Sequence, residues 1–343
     1  MFQVQATDVI LPGLVAPSGF QLHQRPVTRP GTGQALVHVE ASGISFAEQQ
    51  MRRGRYPGQP KFPFVPGYDL VGTVLEVGPA VDPALVGLRV AAATKTGGWT
   101  THALVTAADL VPVPATVDAV DAETVIVNGL TAWQMLHRSA RVQAGQTILV
   151  HGANGGVGSI LVQLARHAGL RVIGTASPRH HGALRELGVE PLDYQAADLA
   201  AQVRVLAPGG VDAAFDHLGL ASARCSFSLL ARGGTLVAYG MAAEVNSERS
   251  VLQLFIKMLG QIAAWTLLPN GRRATFYDFW GGKQLAPATF RAHQQADLRQ
   301  VLALLAQGVL TPQVAARFPL SAIGQAMELA ESRTVMGKVV LTP

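Results

Sequence analysis

A single cysteine, Cys225, stands in a chain of 343 residues. One thiol excludes a disulfide framework and any cysteine-rich zinc site. It fits a reducing compartment, and a cytoplasmic location is expected. Charge is scarce as well: charged residues make up 14% of the chain against 49% hydrophobic, which excludes a highly charged disordered protein. Only five of the 27 basic residues are lysines: Lys61, Lys95, Lys257, Lys283 and Lys338. The formal excess of +5 is therefore mostly scattered arginine, densest at Arg52, Arg53 and Arg55 and next at Arg272 and Arg273. No basic run reaches the length of a nucleic-acid or membrane patch. No segment has the roughly 18 uninterrupted apolar residues that a spanning helix needs. The most apolar stretch, 251–269, is broken by Gln253, Lys257 and Gln261. The N-terminus lacks the basic start and apolar core of a signal peptide. Glycine (36) and proline (20) follow no period, so a fibrous repeat is also excluded. The positive mean hydropathy of +0.26 implies a large buried core and allows for a buried subunit contact.

What is present changes texture along the chain. Residues 1 to about 115 read as short strands separated by turns. Val37, Val39 and Ala41 alternate with His38 and Glu40, as on a half-buried strand. Turn signals at Pro30-Gly31, Tyr56-Pro57-Gly58 and Gly97-Gly98 suggest a small barrel. From about Asp121 short apolar strands alternate with helices: 147–151, 171–175, 189–193, 211–216 and 234–239 are the expected strands. That alternation implies a parallel sheet covered on both faces. The strand 235–239 is expected last in the sheet, its apolar edge free to pair with a second subunit in a homodimer. After about 265 the alternation stops. A terminal strand at 338–341 fits either an extension of the parallel sheet or a return to the first domain. The expected organisation is 1–124, 125–265 and 266–343.

The most specific feature is Val150-His-Gly-Ala-Asn-Gly-Gly-Val-Gly158, which follows a predicted strand and opens a predicted helix. That context marks a dinucleotide-binding turn. Gly155 allows the pyrophosphate onto the backbone, and Gly158 lets helix and strand pack closely. The helix N-terminus, from Gly156 and Val157, offers N–H groups and partial positive charge. Ala153 takes the place of the first glycine. An NAD site usually carries an acid at the end of the second strand, to hold the ribose hydroxyls. Here that place reads Gly174-Thr-Ala-Ser-Pro-Arg-His-His181, with no acid. A carboxylate repels a 2′-phosphate, whereas a hydroxyl and an arginine accept it. NADP(H) is therefore the expected cofactor, with Ser177 and Arg179 as phosphate partners and Gly240, after the strand ending at 239, among the cofactor contacts.

With that loop placed, the sequence resembles the zinc-free quinone oxidoreductase branch of the medium-chain dehydrogenase/reductase superfamily. The matching segments are 37–44, 51–57, 63–69, Asn128-Gly-Leu-Thr-Ala132, the glycine loop, 187–194, and Glu331-Ser-Arg333 with Gly337-Lys338. The resemblance implies an α/β protein: a GroES-like β-barrel domain, then a Rossmann domain with a doubly wound parallel sheet. It also implies a C-terminal segment that returns to the first domain. It assigns Asn128 and Thr131 to the nicotinamide side of the cofactor, and Tyr194 and Arg333 to the adenosine phosphate. Zinc-dependent relatives carry a cysteine and a Gly-His-Glu triplet where this chain has Ser45 and Gly67-Tyr68-Asp69. Hydroxyl and phenol are poor zinc ligands, so no metal is expected.

The expected activity is hydride transfer from NADPH to a small planar quinone or α,β-unsaturated carbonyl. The alternatives are an enoyl-thioester reductase and an NADPH-binding protein whose catalysis has lapsed. A quinone needs no strong acid, because its developing phenolate is a weak base. An enone develops an enolate that a hydroxyl donor stabilises. Tyr56, Ser45 and Tyr68 are the candidates for that donor. Four other groups are expected to be structural. His151 is read as a strand-end residue bonded to backbone, and Asp216-His217 as a strand-end turn. Cys225 is read as a small buried hydrophobe, and Glu48 as a solvated or Arg52-paired carboxylate. Trp265, Phe276, Tyr277, Phe279 and Trp280 fit either a packed core or a flat wall for a planar acceptor.

Overall fold

The computed structural model describes residues 5–244, 250–332 and 334–343. The chain forms two compact units: Met1–Leu130 with Leu285–Pro343, and Thr131–Gln284.

The first unit is built on a mostly antiparallel sheet. Its longest strand, Gln34–Ile44, pairs with Asp69–Val77, His102–Thr106 and Lys338–Thr342. Arg89–Ala93 and Val111–Pro112 continue the sheet beyond Asp69–Val77. Val37, Val39 and Ala41 are fully buried while His38 is exposed, the alternation expected of a pleated strand. Val37 and Val39 pack with Leu70, Val74 and Val90 in one apolar cluster. The terminal strand thus completes this unit rather than extending the parallel sheet. It runs antiparallel to Gln34–Ile44 and parallel to Val314–Pro319. A buried ion group fixes it there: Lys338 Nζ donates to Asp69 Oδ2 (2.8 Å) and to Glu123 Oε1 (2.5 Å).

The second unit is a six-stranded parallel sheet. Its strands, numbered within the unit, are β1 Thr147–His151, β2 Arg171–Ala176, β3 Val189–Asp193, β4 Val211–Asp216, β5 Leu230–Ala238 and β6 Arg273–Phe276. Their order is 3-2-1-4-5-6, all parallel, with the reversal between β1 and β4. This is the doubly wound Rossmann arrangement. Two expectations change here. β5 is not the last strand, because β6 pairs along it from Thr235–Arg273 to Ala238–Phe276. Residues 266–284 therefore belong with this sheet, past the expected limit at 265. The reason lies in length and pattern: β6 has four residues and opens on an arginine, too little to register as a strand by periodicity. Conversely β5 is buried from Gly234 to Ala238, as a strand paired on both sides should be. Among the aromatic residues Trp265 is core: it is buried and stacks on Phe227 at 4.7 Å between ring centroids.

Candidate functional site

The glycine loop turns at the end of β1 and opens the helix Gly156–His167. Gly152 has φ +65°, a left-handed conformation that suits glycine. Gly155 takes the N-cap position with φ −75° and supplies no side-chain cap. The first N–H groups of the helix lack intrahelical acceptors, so an uncapped terminus presents them to an anion. A Cβ at Gly158 lands deep inside the radius of the Gly152 carbonyl oxygen, whereas one at Gly155 meets only that oxygen at 3.3 Å. Gly158 is thus fixed by packing. Gly155 is far less crowded than Gly158, as expected of a position that a pyrophosphate covers.

A buried hydrogen-bond chain lies beneath this loop, and its direction follows from one charge. Asp216, a carboxylate, only accepts. It takes bonds from Ser222 Oγ (2.6 Å), Ser226 Oγ (2.8 Å) and the Leu218 N–H (2.9 Å). Because Ser226 donates to Asp216, it accepts from His151 Nε2–H at 2.9 Å. His151 Nδ1 then accepts from the Thr175 hydroxyl at 3.3 Å, and Thr175 Oγ1 accepts from the Gly152 N–H at 3.3 Å. Burial lowers the His151 pKa, with Asp216 acting in the opposite sense, which suits the neutral ring that this assignment requires. His151 is therefore not a backbone-bonded strand end, and Asp216 is more than a turn residue. Sequence reading missed Thr175 and Ser226 because each is an ordinary polar residue until β2 and the helix Leu220–Ser228 bring it to His151. Cys225 is half-buried against the apolar cluster of this unit, and burial raises its thiol pKa.

The remaining cofactor candidates of this unit lie after the carboxyl ends of strands, where open α/β sheets bind ligands. Ser177 and Arg179 follow β2, Tyr194 follows β3, and Gly240 follows β5. β2 and β3 are neighbours, with Ala176 opposite Asp193, so Ser177 and Tyr194 emerge side by side. The Ser177 hydroxyl does not cap the turn it precedes. Arg179 is exposed and its Nε donates to His180 Nε2 at 3.1 Å. Asn128 and Thr131 are buried on the helix Ala119–Gln134. Arg333 lies outside the described residues.

The first unit gathers the three catalytic candidates around a residue that the sequence reading set aside. Ser45 is the N-cap of the helix Phe46–Arg52: its Oγ accepts from the Ala47 N–H at 3.1 Å. Glu48, three residues on, closes a capping box by accepting from the Ser45 N–H at 2.9 Å, and its Oε2 also hydrogen-bonds the Ser45 hydroxyl. The other oxygen, Oε1, accepts from the Tyr68 N–H at 2.7 Å. The phenol oxygens of Tyr68 and Tyr56 lie 2.6 Å apart, with the rings edge to face. Glu48 is thus neither solvated nor paired with Arg52; it is 1% exposed. Arg52 instead forms a bidentate pair with Glu331, at 2.7 and 2.6 Å from Nη2. Burial first, and the Asp69 charge second, raise the Glu48 pKa from its ordinary value.

These donors do not suit zinc. Ser45 brings a hydroxyl engaged in a helix cap, and Tyr68 a phenol bonded to another phenol. Among the described residues no group of three or more His, Cys, Asp or Glu side chains is placed to hold a metal ion.

Comparison with known proteins agrees with this architecture. Residues 31–115 match the alcohol dehydrogenase GroES-like domain family, and residues 187–341 match the zinc-binding dehydrogenase family. The human synaptic vesicle membrane protein VAT-1 homolog is 30% identical over 98% of this chain and 86% of its own length. A 2-haloacrylate reductase of Burkholderia is 31% identical, covering 95% of this chain and 96% of its own. Among solved structures, a mycobacterial quinone oxidoreductase superposes with a TM-score of 0.82 at 29% identity. A mycobacterial protein complexed with NADPH superposes with 0.83 at 28%. Each of these two alignments covers 98% of this chain and 100% of the other. With a GroES-like unit, a 3-2-1-4-5-6 Rossmann unit and hydroxyls where zinc-dependent relatives place ligands, the chain belongs to the zinc-free quinone oxidoreductase branch of the medium-chain dehydrogenase/reductase superfamily.

Proposed function

We propose that the protein is an NADPH-dependent oxidoreductase that passes hydride to a quinone or an α,β-unsaturated carbonyl. The observation that carries this reading is the uncapped helix start at Gly155–Gly158, together with the end of β2, which bears Ser177 and Arg179 and no acid. The helix N–H groups take the pyrophosphate, and Ser177 and Arg179 take the 2′-phosphate, with Tyr194 on the neighbouring strand end. Asn128 and Thr131 belong to the nicotinamide side. Bound there, reduced nicotinamide supplies a hydride equivalent. The NADPH complex of one structural neighbour, and relatives named for quinone oxidation–reduction and haloacrylate reduction, support the same reading. In the first unit the hydroxyl group of Ser45 and the phenols of Tyr56 and Tyr68 orient the acceptor and stabilise charge developing on its oxygen. The test is oxidation of NADPH in the presence of quinones, 2-alkenones and a crotonyl thioester. Turnover of quinone or enone, with NADPH preferred to NADH, is expected. Turnover of the thioester alone would assign an enoyl-thioester reductase. Tight NADPH binding with no acceptor reduced would assign a lapsed enzyme.

We also infer a homodimer formed through the second unit. β6 is the outer strand of the sheet, with one edge unpaired among the described residues. The nearby helix Val251–Thr266 exposes Leu252, Ile256 and Leu259, spaced to form one stripe. An exposed apolar stripe beside an open strand edge suits a two-fold contact. Light scattering is expected to give twice the chain mass, and Ile256→Glu to shift it to the monomer. A wild-type monomer at micromolar concentration would reject the dimer. No helix among the described residues is long and apolar enough to cross a membrane.

A further inference from the structure

We infer that Glu48 stores the proton consumed in enone reduction and that Ser45 is the hydroxyl through which it reaches the substrate oxygen. This inference rests on the reading of the chain as a quinone or enone reductase and names the proton donor of that same site.

Glu48 is buried beneath the cap that it closes. Among the described residues its carboxyl is bonded only to the backbone N–H groups of Ser45 and Tyr68 and to the Ser45 hydroxyl. The charged groups facing it from neighbouring elements are Asp69 and Lys338. Lys338 is already shared by Asp69 and Glu123, two carboxyls for one ammonium. The arginine on its own helix, Arg52, is bonded to Glu331. Among the described residues no cation is hydrogen-bonded to the Glu48 carboxyl, and burial together with the Asp69 charge raises its pKa against the opposing pull of its own hydrogen bonds and of Lys338.

The Ser45 hydroxyl has one proton and two acceptor positions. One acceptor position is filled by the Ala47 N–H. When Glu48 is a carboxylate, the Ser45 proton must point inward to Oε2. When Glu48 is an acid, its own O–H donates to Ser45 Oγ and fills the second acceptor position. The Ser45 proton is then turned outward, away from the buried Glu48. Ser45 is half-buried whereas Glu48 is 1% exposed, so of the two only Ser45 is open to a bound ligand. Only the acid form of Glu48 makes Ser45 a donor to a bound substrate.

The step balances as follows. Reduced nicotinamide, when bound, would supply a hydride to the β-carbon of the enone, its own C–H bond breaking as the new one forms. The C=C pair shifts and places charge on the carbonyl oxygen. The Ser45 O–H bond breaks and its proton goes to that oxygen. The Glu48 O–H bond breaks and its proton goes to Ser45 Oγ. Glu48 is left as a carboxylate and regains a proton from solvent before the next turnover. A quinone draws little on this relay, because a hydroquinone phenolate is weakly basic and solvent protonates it. The relay therefore sets acceptor preference: it favours enones over quinones as the pH falls.

The test compares wild type, Glu48→Gln, Ser45→Ala and Ser45→Thr for kcat with an enone and with a quinone across pH. A positioned general acid contributes about 100-fold or more. The ratio of enone to quinone kcat is expected to fall by about that factor in Glu48→Gln and Ser45→Ala. Ser45→Thr keeps both cap and hydroxyl and is expected to restore most of the ratio. In wild type the enone kcat declines as pH rises and Glu48 loses its proton, and both disabling variants lose that limb. Because Glu48→Gln alters a buried capping box, the serine pair keeps the test open if that variant fails to fold. A protonated-carboxyl infrared band, present in wild type and absent in Glu48→Gln, reads the proton store without turnover. An unchanged ratio and pH profile in Ser45→Ala, or a Glu48 ionised throughout, overturns the inference. A wild type that binds NADPH but reduces neither acceptor overturns the functional reading instead, with the infrared band still deciding the proton store.

Discussion

Gly158→Ala is expected to lower the thermal stability of the cofactor-free protein and to weaken NADPH binding at the same time, whereas Gly155→Ala is expected to weaken NADPH binding alone. Both positions belong to one loop and both are tolerant in φ, so the contrast comes from what a methyl group meets. At Gly158 it meets the Gly152 carbonyl, and the Gly152 carbonyl carbon and Ala153 Cα lie within about a contact radius as well. Backbone cannot swing away as a side-chain tip can. Alanine gains about 1 kcal/mol of helix propensity over glycine. Overpacking costs about 1–3 kcal/mol, and a backbone clash this close places the cost at the upper end. The net loss shows as a lower unfolding midpoint. Moving the loop also moves the N–H groups proposed to face the pyrophosphate, and the 10–100-fold loss of affinity expected corresponds to about 1.4–2.8 kcal/mol. At Gly155 the only neighbour within 4 Å is the Gly152 oxygen at 3.3 Å, and φ is −75°, so an alanine asks the unliganded loop for no more than a small shift of that oxygen. Any affinity lost there reports a ligand on the backbone. Thermal unfolding and titration with NADPH check both halves. Equal stability of Gly158→Ala and wild type would reject the packing argument. Unchanged NADPH affinity in Gly155→Ala would reject the placement of the pyrophosphate.

Lys338→Met is expected to destabilise the protein by about 3–5 kcal/mol, because it strips the cation from two buried carboxyls. Lys338 is 4% exposed, and Asp69 and Glu123 are fully buried. Glu123 Oε2 has no hydrogen-bond partner among the described residues. Typical domains have about 5–15 kcal/mol of stability in total, so the loss is a large share. Neutralising the carboxyls in the same variant, with Asp69→Asn and Glu123→Gln, is expected to recover part of it. A single Glu123→Gln is expected to be the mildest change. Burial, opposed by Lys338 and assisted by Asp69, raises the Glu123 pKa well above the ordinary carboxylate range. A group whose pKa is raised by folding stabilises the fold below its unfolded pKa. That contribution fades as pH rises through the folded value. Wild-type stability is therefore expected to decline more steeply than that of Glu123→Gln from mildly acidic to alkaline pH. Chemical denaturation at several pH values measures this. A Lys338→Met variant with wild-type stability, or parallel pH profiles for Glu123→Gln and wild type, would contradict the assignment.

The glycine loop, the alternation of five strands with helices, and the missing acid after β2 were legible because each is a local pattern. Strand period, turn chemistry and the nature of a strand-end residue depend on neighbours within a few positions. β6 was not legible, since four residues beginning Arg273-Ala-Thr carry no period of their own and become a strand by pairing with β5. The role of Glu48 was misread for a related reason. Arg52 lies one helical turn away and is a natural partner by spacing. Yet Glu331, nearly the whole chain away in sequence, takes that arginine and leaves Glu48 to the cap and to Tyr68. Likewise, Asp216-His217 drew attention as an adjacent pair. The effective partner of Asp216 is Ser226, which bridges it to His151.

By itself the sequence determined the class of the protein: two kinds of texture, a strand–glycine–helix turn, hydroxyls where metal ligands stand in zinc-dependent relatives, and a basic rather than acidic strand end. These follow from residue type and short spacing, which need no knowledge of the whole. Only the tertiary structure decided which polar groups share a buried space. The terminal strand brings Lys338 to Asp69 and Glu123, β4 and the helix after it bring Asp216 and Ser226 to His151, and the first helix sets Glu48 beneath Ser45 and Tyr68. In water such groups are solvated and nearly independent. Inside the fold water is excluded, so each donor must find an acceptor and each charge a counter-charge, and those pairings are made across distances that no sequence window spans.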